Sequence, residues 1–207
     1  YLGGSGSFGT LLVSVFKDYG RRLENLSKIT YIVGLVVMMN IFIIGPQVST
    51  APDKYAAVLP VMINQFMFPV LAVFVAGEVT LRGKESLFTY RKTPDGVERF
   101  VKAKLMQGWL MAVPIAAAVT AVTTSLSPQI TIISLLTNTI WGSLIAAANV
   151  SFVLGLFLLN PAFSERSGKF MLNTLIVIFV SIGIFAGSLM VMTNMFPGLE
   201  PFTSILY

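Results

Sequence analysis

The sequence predicts an all-α polytopic membrane protein. Three observations carry that class. Of 207 residues, 55% are hydrophobic and only 11% are charged, where a soluble domain carries about 25% charge. Five long apolar stretches, at 29–46, 55–77, 105–126, 130–159 and 170–196, approach or exceed the roughly 20 residues that cross a bilayer as a helix. All of the 14 Lys and Arg residues except Lys54 lie in three of the segments that flank those stretches.

The cations set an expected orientation. Lys17, Arg21, Arg22 and Lys28 precede or open the first stretch. Arg82, Lys84, Arg91, Lys92, Arg99, Lys102 and Lys104 lie between the second and third, and Arg166 and Lys169 between the fourth and fifth. The intervening gaps hold Lys54 alone. Cations stay on the cytoplasmic side of an inserted helix, so the N-terminus is expected in the cytoplasm of an integral protein of the cell membrane, and Tyr207 outside. The net charge of +5 is then an orientation signal, and no nucleic-acid partner is expected.

Composition also excludes chemistry. The chain has no Cys and no His. It therefore has no disulfide, no thiolate nucleophile or ligand, and neither the commonest metal ligand nor the commonest general base. No acidic or basic side chain lies in the middle of an apolar stretch, which argues against a proton relay or carboxylate ion site. No catalytic, cofactor-binding or metal-binding constellation is present. A Gly-x-x-x-x-Gly-Lys-Ser/Thr phosphate loop is also missing, so ATP could be used only through a partner.

Residues 1–28 read as a cytoplasmic linker and an interfacial amphipathic helix. The linker is Gly- and Ser-rich, without Met or a charged leader. From 8 to 27, Leu11, Leu12, Val15, Phe16, Tyr19, Leu23 and Leu26 recur at helical spacing while most charges fall elsewhere on the wheel. The alternative is a helix that simply continues into the first stretch. The fourth stretch, with Asn138, Trp141, Gly142 and Asn149, is long enough to tilt or to break near Gly142. The tail from Pro197 begins with helix breakers and ends apolar. An odd number of spans leaves the chain outside, so the expectation is a fragment lacking a sixth span.

The segment 78–104 joins the second and third stretches. It reads as a short amphipathic element, a Thr93-Pro94-Asp95-Gly96 turn, and a second helix entering the membrane. Leu81, Leu87, Phe88 and Tyr90 suit an apolar face; Lys84, Glu85, Arg91 and Lys92 suit water. Such a hairpin is a handle on two spans.

Glu78, then Gly83-Lys84-Glu85-Ser86-Leu87, then Thr93-Pro94, then Lys104 ten positions after Pro94 resembles a pattern in the permease domain of ABC-2 type ATP-binding-cassette transporters. Glu78 stands slightly further from the glycine than in that family, and the stretch from Gly83 to Pro94 is slightly longer. The resemblance covers the elbow by motif and most of the chain by topology. It implies five helices of a six-helix unit, with an N-terminal interfacial helix and a cytoplasmic coupling-helix elbow. It further implies an exporter driven by a nucleotide-binding ATPase subunit that holds ATP and Mg, and a second permease copy or half. Gly83 to Lys92 would then dock on the ATPase through Lys84, Glu85, Arg91 and Lys92, with Glu165 and Arg166 as a smaller contact. Glu78 would link to Arg82, Arg21 or Arg22. The plainer alternatives are a solvated loop and a Glu that reaches water.

Inside the stretches the polar groups are amides and hydroxyls. Asn64, Gln65, Asn138 and Asn149 are candidates to line a path; interhelical hydrogen bonding is the simpler role for any amide there. Pro60, Pro69 and Pro114 are tolerated where neighbours satisfy the freed carbonyls. Two other classes remain: a half-domain of a secondary transporter or channel, for which no internal repeat is evident, and a non-transporting membrane assembly subunit.

Overall fold

The computed structural model describes residues 7–21, 23–39, 41–42, 59–77, 96–126, 131–162, 164 and 166–195. Within them every regular element is a helix. The helices are α1 Ser7–Gly20, α2 Leu23–Met39, α3 Leu59–Ala76, α4 Gly96–Ser125, α5 Ile132–Leu159 and α6 Gly168–Met195. Three of them, α4, α5 and α6 through Gly187, are long and apolar enough to cross a membrane. At 1.5 Å per residue a 28-residue helix such as α5 spans about 42 Å, more than a bilayer's hydrocarbon core of about 30 Å. Their outward faces carry large apolar side chains: Ile132 and Ile133 on α5 and Phe179 and Ile184 on α6 are each more than 60% exposed. A surface this apolar belongs to an integral membrane protein. Apolar stretches in α2 and α3, Ser27–Met39 and Asn64–Ala76, are shorter among the described residues.

The amphipathic segment expected over 8–27 divides. α1 ends at Gly20, where the chain turns through Arg21, whose N–H reaches the Lys17 carbonyl at 3.1 Å. Glycine is a poor helix former, and it releases the chain here. Leu23 and Leu26 therefore belong to α2, which continues into the first apolar stretch. α1 buries Val15 and Tyr19 and packs mainly on α4. α2 buries Ile29, Ile32 and Val36, a stripe at helical spacing, against α3. The opposite face, with Tyr31, Leu35 and Met38, is exposed.

α3 is the central helix. It touches α2, α4, α5 and α6. Leu71 and Ala72 are completely buried and Phe68 nearly so, as an all-round apolar helix requires. Pro69 sits inside α3 without ending it. Proline has no N–H, so the Gln65 carbonyl loses its usual helical donor.

α4 begins at Gly96, inside the expected elbow, and runs unbroken through Pro114 to Ser125. α5 starts from Thr131 in an extended conformation (φ −115°, ψ 152°). Thr131 and Ser134 cap one another reciprocally, each backbone N–H donating to the other's hydroxyl at 3.1 Å. α5 then runs through Gly142 without the break that was one expectation there. Gly142 serves packing: a Cβ would stand 2.7 Å from the Thr120 hydroxyl and 3.3 Å from the Phe68 ring. Gly108 does the same one end further along, where a Cβ would meet Val150 Cγ1 at 2.6 Å. Gly108, Ala112, Ala116 and Thr120 recur every fourth residue on α4 and face Gly142, Ala146 and Val150 on α5. This small-residue seam lets two backbones approach closely, the usual solution where lipid leaves no hydrophobic drive between helices. It forms the most extensive helix contact in the structure.

Candidate functional site

Two features gather polar chemistry: one end of the bundle, and a cavity in its wall. At the first, α3 closes with Gly77, whose N–H donates to the Val73 carbonyl at 2.8 Å. A Cβ on Gly77 would strike that same carbonyl oxygen and lie 3.4 Å from the Phe157 ring. Phe157 packs edge-on against Phe170, with ring centroids 5.4 Å apart. Lys28 stands 6.0 Å from the Phe74 ring centroid, within cation–π range. The start of α2, the end of α3, the end of α5 and the start of α6 thus meet at one end. All three cation-bearing segments adjoin these termini.

The α5–α6 connection is braced here. Asn160 caps α5, its backbone N–H donating to the Leu156 carbonyl. Asn160 Nδ2 donates to Asn173 Oδ1, and Asn173 Nδ2 returns a bond to the Asn160 carbonyl, both at 2.8 Å. Asn173 is fully buried. Ser164 and Ser167 close the short turn through Ser167 Oγ to the Ser164 carbonyl at 2.6 Å.

Of the expected elbow residues, Glu78, Gly83, Lys84, Glu85, Arg91, Lys92, Thr93 and Pro94 lie outside the described residues, as does Glu165. Lys104 is half-buried on α4 and donates to Gln107 Oε1 at 3.1 Å. Arg166 is exposed in the turn before α6. Glu98 and Lys102, one turn apart, form an ion pair at 2.5 Å with both side chains largely exposed. An ion pair this exposed adds little to stability, because water screens it.

The second feature is a cavity of about 320 Å³ between α3, α5 and α6. α3 supplies Gln65; α5 supplies Trp141, Ile145, Asn149 and Phe152; α6 supplies Ser181 and Ile184. Ser181 Oγ donates to Asn149 Oδ1 at 2.5 Å, and Asn149 Nδ2 donates to the Ile145 carbonyl at 3.0 Å. The Asn149 side chain is therefore engaged at both its oxygen and its nitrogen. Gln65 is not: its Oε1 is buried and accepts no hydrogen bond among the described residues.

The four amides expected to line a path separate. Gln65 and Asn149 converge on the cavity. Asn64, fully buried, points to α4 instead and donates to Thr123 Oγ1 at 2.7 Å. Asn138 is partly exposed on α5 and does not line the cavity. Ser181 was not among the candidates; a lone hydroxyl in an apolar helix carries little signal until its partner is placed. The Asn160–Asn173 brace was equally hidden, because it joins a loop residue to a helix residue. Among the described residues no three acidic groups lie close enough to hold a metal ion.

No family model, curated protein or solved structure matches the chain.

Proposed function

We propose that this chain is the transmembrane permease subunit, or one half, of an ATP-driven exporter of the ABC-2 type. The observation that carries the reading is the elbow pattern Glu78, Gly83-Lys84-Glu85, Thr93-Pro94 and Lys104 between two apolar stretches. On this reading α2 to α6 are five spans of a six-span unit, α1 lies in the cytoplasmic interface, and the cation-bearing end of the bundle faces the cytoplasm of a cell-membrane protein. The chain itself is not an ATPase. A nucleotide-binding partner subunit holds ATP and Mg and grips Lys84, Glu85, Arg91 and Lys92, with Arg166 and Glu165 beside them. A second permease copy or half completes the path.

The helix arrangement supports this reading mechanically. The elbow leaves α3 at Gly77 and enters α4 at Gly96, and α3 packs on α4. Force applied to the elbow therefore reaches the central helix directly, and through it α2, α5 and α6. Packed cores respond to such force by discrete shifts and not by continuous yielding.

The test is affinity purification of the tagged full-length protein from its native membranes in mild detergent, followed by an ATP hydrolysis assay. An ATPase subunit should copurify. The double reversal K84E/E85K should lower its recovery at least tenfold, whereas K54E, on the opposite face, should not. Equal recovery with both variants, or no ATPase at all, would overturn the proposal.

A further inference from the structure

The outer face of α1 ends in two cations, and we infer that Lys17 and Arg21 together hold the phosphate of an anionic membrane phospholipid. α1 turns Val15 and Tyr19 into the bundle, with Leu11, Leu12 and Phe16 partly buried beside them. Val13, Ser14, Lys17 and Arg21 lie on the other side and are exposed. The Arg21 N–H still reaches the Lys17 carbonyl at 3.1 Å, so the last helical turn closes through Arg21. Side chains four residues apart on such a turn leave the backbone about 6 Å from one another on one face. Neither Lys17 nor Arg21 has an ion-pair or side-chain hydrogen-bond partner among the described residues. Other cations are engaged: Lys28 stands over the Phe74 ring, and Lys102 pairs with Glu98.

Charge and position together select a lipid. Over residues 8–28 Lys17, Arg21, Arg22 and Lys28 outnumber Asp18 and Glu24, so the segment attracts anions. Lysine offers a compact charge with three donors and arginine a planar fork, and both suit phosphate oxygens. Val13, one turn before Lys17, is 40% exposed. A soluble anion would leave it in water, whereas a phospholipid covers it. α2 starts two residues after Arg21, its apolar stretch begins at Ser27, and its outward face carries Tyr31, Leu35 and Met38. The two cations therefore stand next to a helix that enters the membrane. At an anionic membrane surface each such cation strengthens binding about fivefold. Lys17 also lies in the last turn of α1, where a cation suits the helix dipole. That role would affect stability without distinguishing one lipid from another. The site rests on α1 lying at the membrane surface, as in the reading above, but not on ATP or a protein partner.

The experiment takes the full-length protein in a neutral detergent and reads its Tm. Dioleoylphosphatidylglycerol, dioleoylphosphatidylcholine and inorganic phosphate are titrated separately. Phosphatidylglycerol should raise Tm saturably, as a ligand of the folded state does, and neither of the others should match it. K17Q/R21Q should need roughly tenfold more phosphatidylglycerol for half of the rise, with its lipid-free Tm unchanged. K17R/R21K keeps both charges and should respond like the parent. K54Q/K169Q removes the same charge elsewhere and should also respond like the parent. An equal response of the parent to the two lipids overturns the site without recourse to any variant. Free phosphate acting as well as the lipid overturns the lipid assignment. A preference for phosphatidylglycerol that survives K17Q/R21Q overturns the role of Lys17 and Arg21. No ATPase enters these readings, so failure of an ATPase to copurify leaves them standing.

Discussion

The Thr120 hydroxyl on α4 stands 2.7 Å from the point a Cβ on Gly142 of α5 would occupy. That distance is shorter than real Cβ contacts tolerate, so the residue types at these two positions determine each other. Thr120 Oγ1 is itself buried without a hydrogen-bond partner among the described residues. Close approach between the helices is obtained at the expense of one unsatisfied hydroxyl.

Gly142→Ala should therefore destabilise the protein by about 1–3 kcal/mol, the usual cost of overpacking. Thr120→Ala alone should be near neutral, because it removes an unsatisfied group. The double substitution should recover most of the loss, with a coupling of about 0.5–3 kcal/mol. Reversible unfolding in mixed micelles measures all three. Additive effects would show that the two positions do not meet.

Neighbouring threonines on α4 should behave oppositely. Thr123 accepts from Asn64 at 2.7 Å and donates to the Thr120 carbonyl at 3.2 Å. Thr124 Oγ1 is buried with no partner among the described residues. Thr123→Val should cost about 1 kcal/mol, because it removes the hydroxyl that accepts from Asn64. Thr124→Val should be neutral or stabilising in the same assay. Equal effects would contradict the assigned network.

The Asn160–Asn173 brace should show a modest coupling. Interhelical hydrogen bonds in membrane proteins average about 0.6 kcal/mol and reach about 1.7. A double-mutant cycle with N160A and N173A should fall in that range. A coupling of zero would remove the brace from the account.

Sidedness is testable in a chain that contains no Cys. Single cysteines introduced by R91C and R166C should react with an impermeant maleimide only after the cytoplasmic face is exposed. K54C should react from the outside in intact cells. The reverse pattern would invert the topology.

How far the fold could be read from residues varied by element. The apolar runs at 130–159 and 170–196 are occupied by α5 and α6 because polar or turn-forming residues bound them on both sides. The start of α4 was less legible. Gly96 to Lys104 carries charges, so apolarity marks only the later part of a helix that continues past it. The α1–α2 boundary was obscured because Leu23 and Leu26 fit the periodicity of either helix. Gly142 read as a possible break because glycine's packing role depends on what lies opposite, and Thr120 is distant in sequence. The cavity shows the same limit: Gln65 and Asn149 were visible as amides, but convergence of α3, α5 and α6 is a property of packing.

The most direct test of the central claim is a crosslink from the elbow. The full-length K84C protein, labelled with benzophenone maleimide and irradiated in native membranes opened on the cytoplasmic side, should join covalently to an ATP-hydrolysing subunit, and K54C should not. Crosslinking of K84C to lipid alone, or labelling of K84C from the outer face of intact cells, would contradict the permease account.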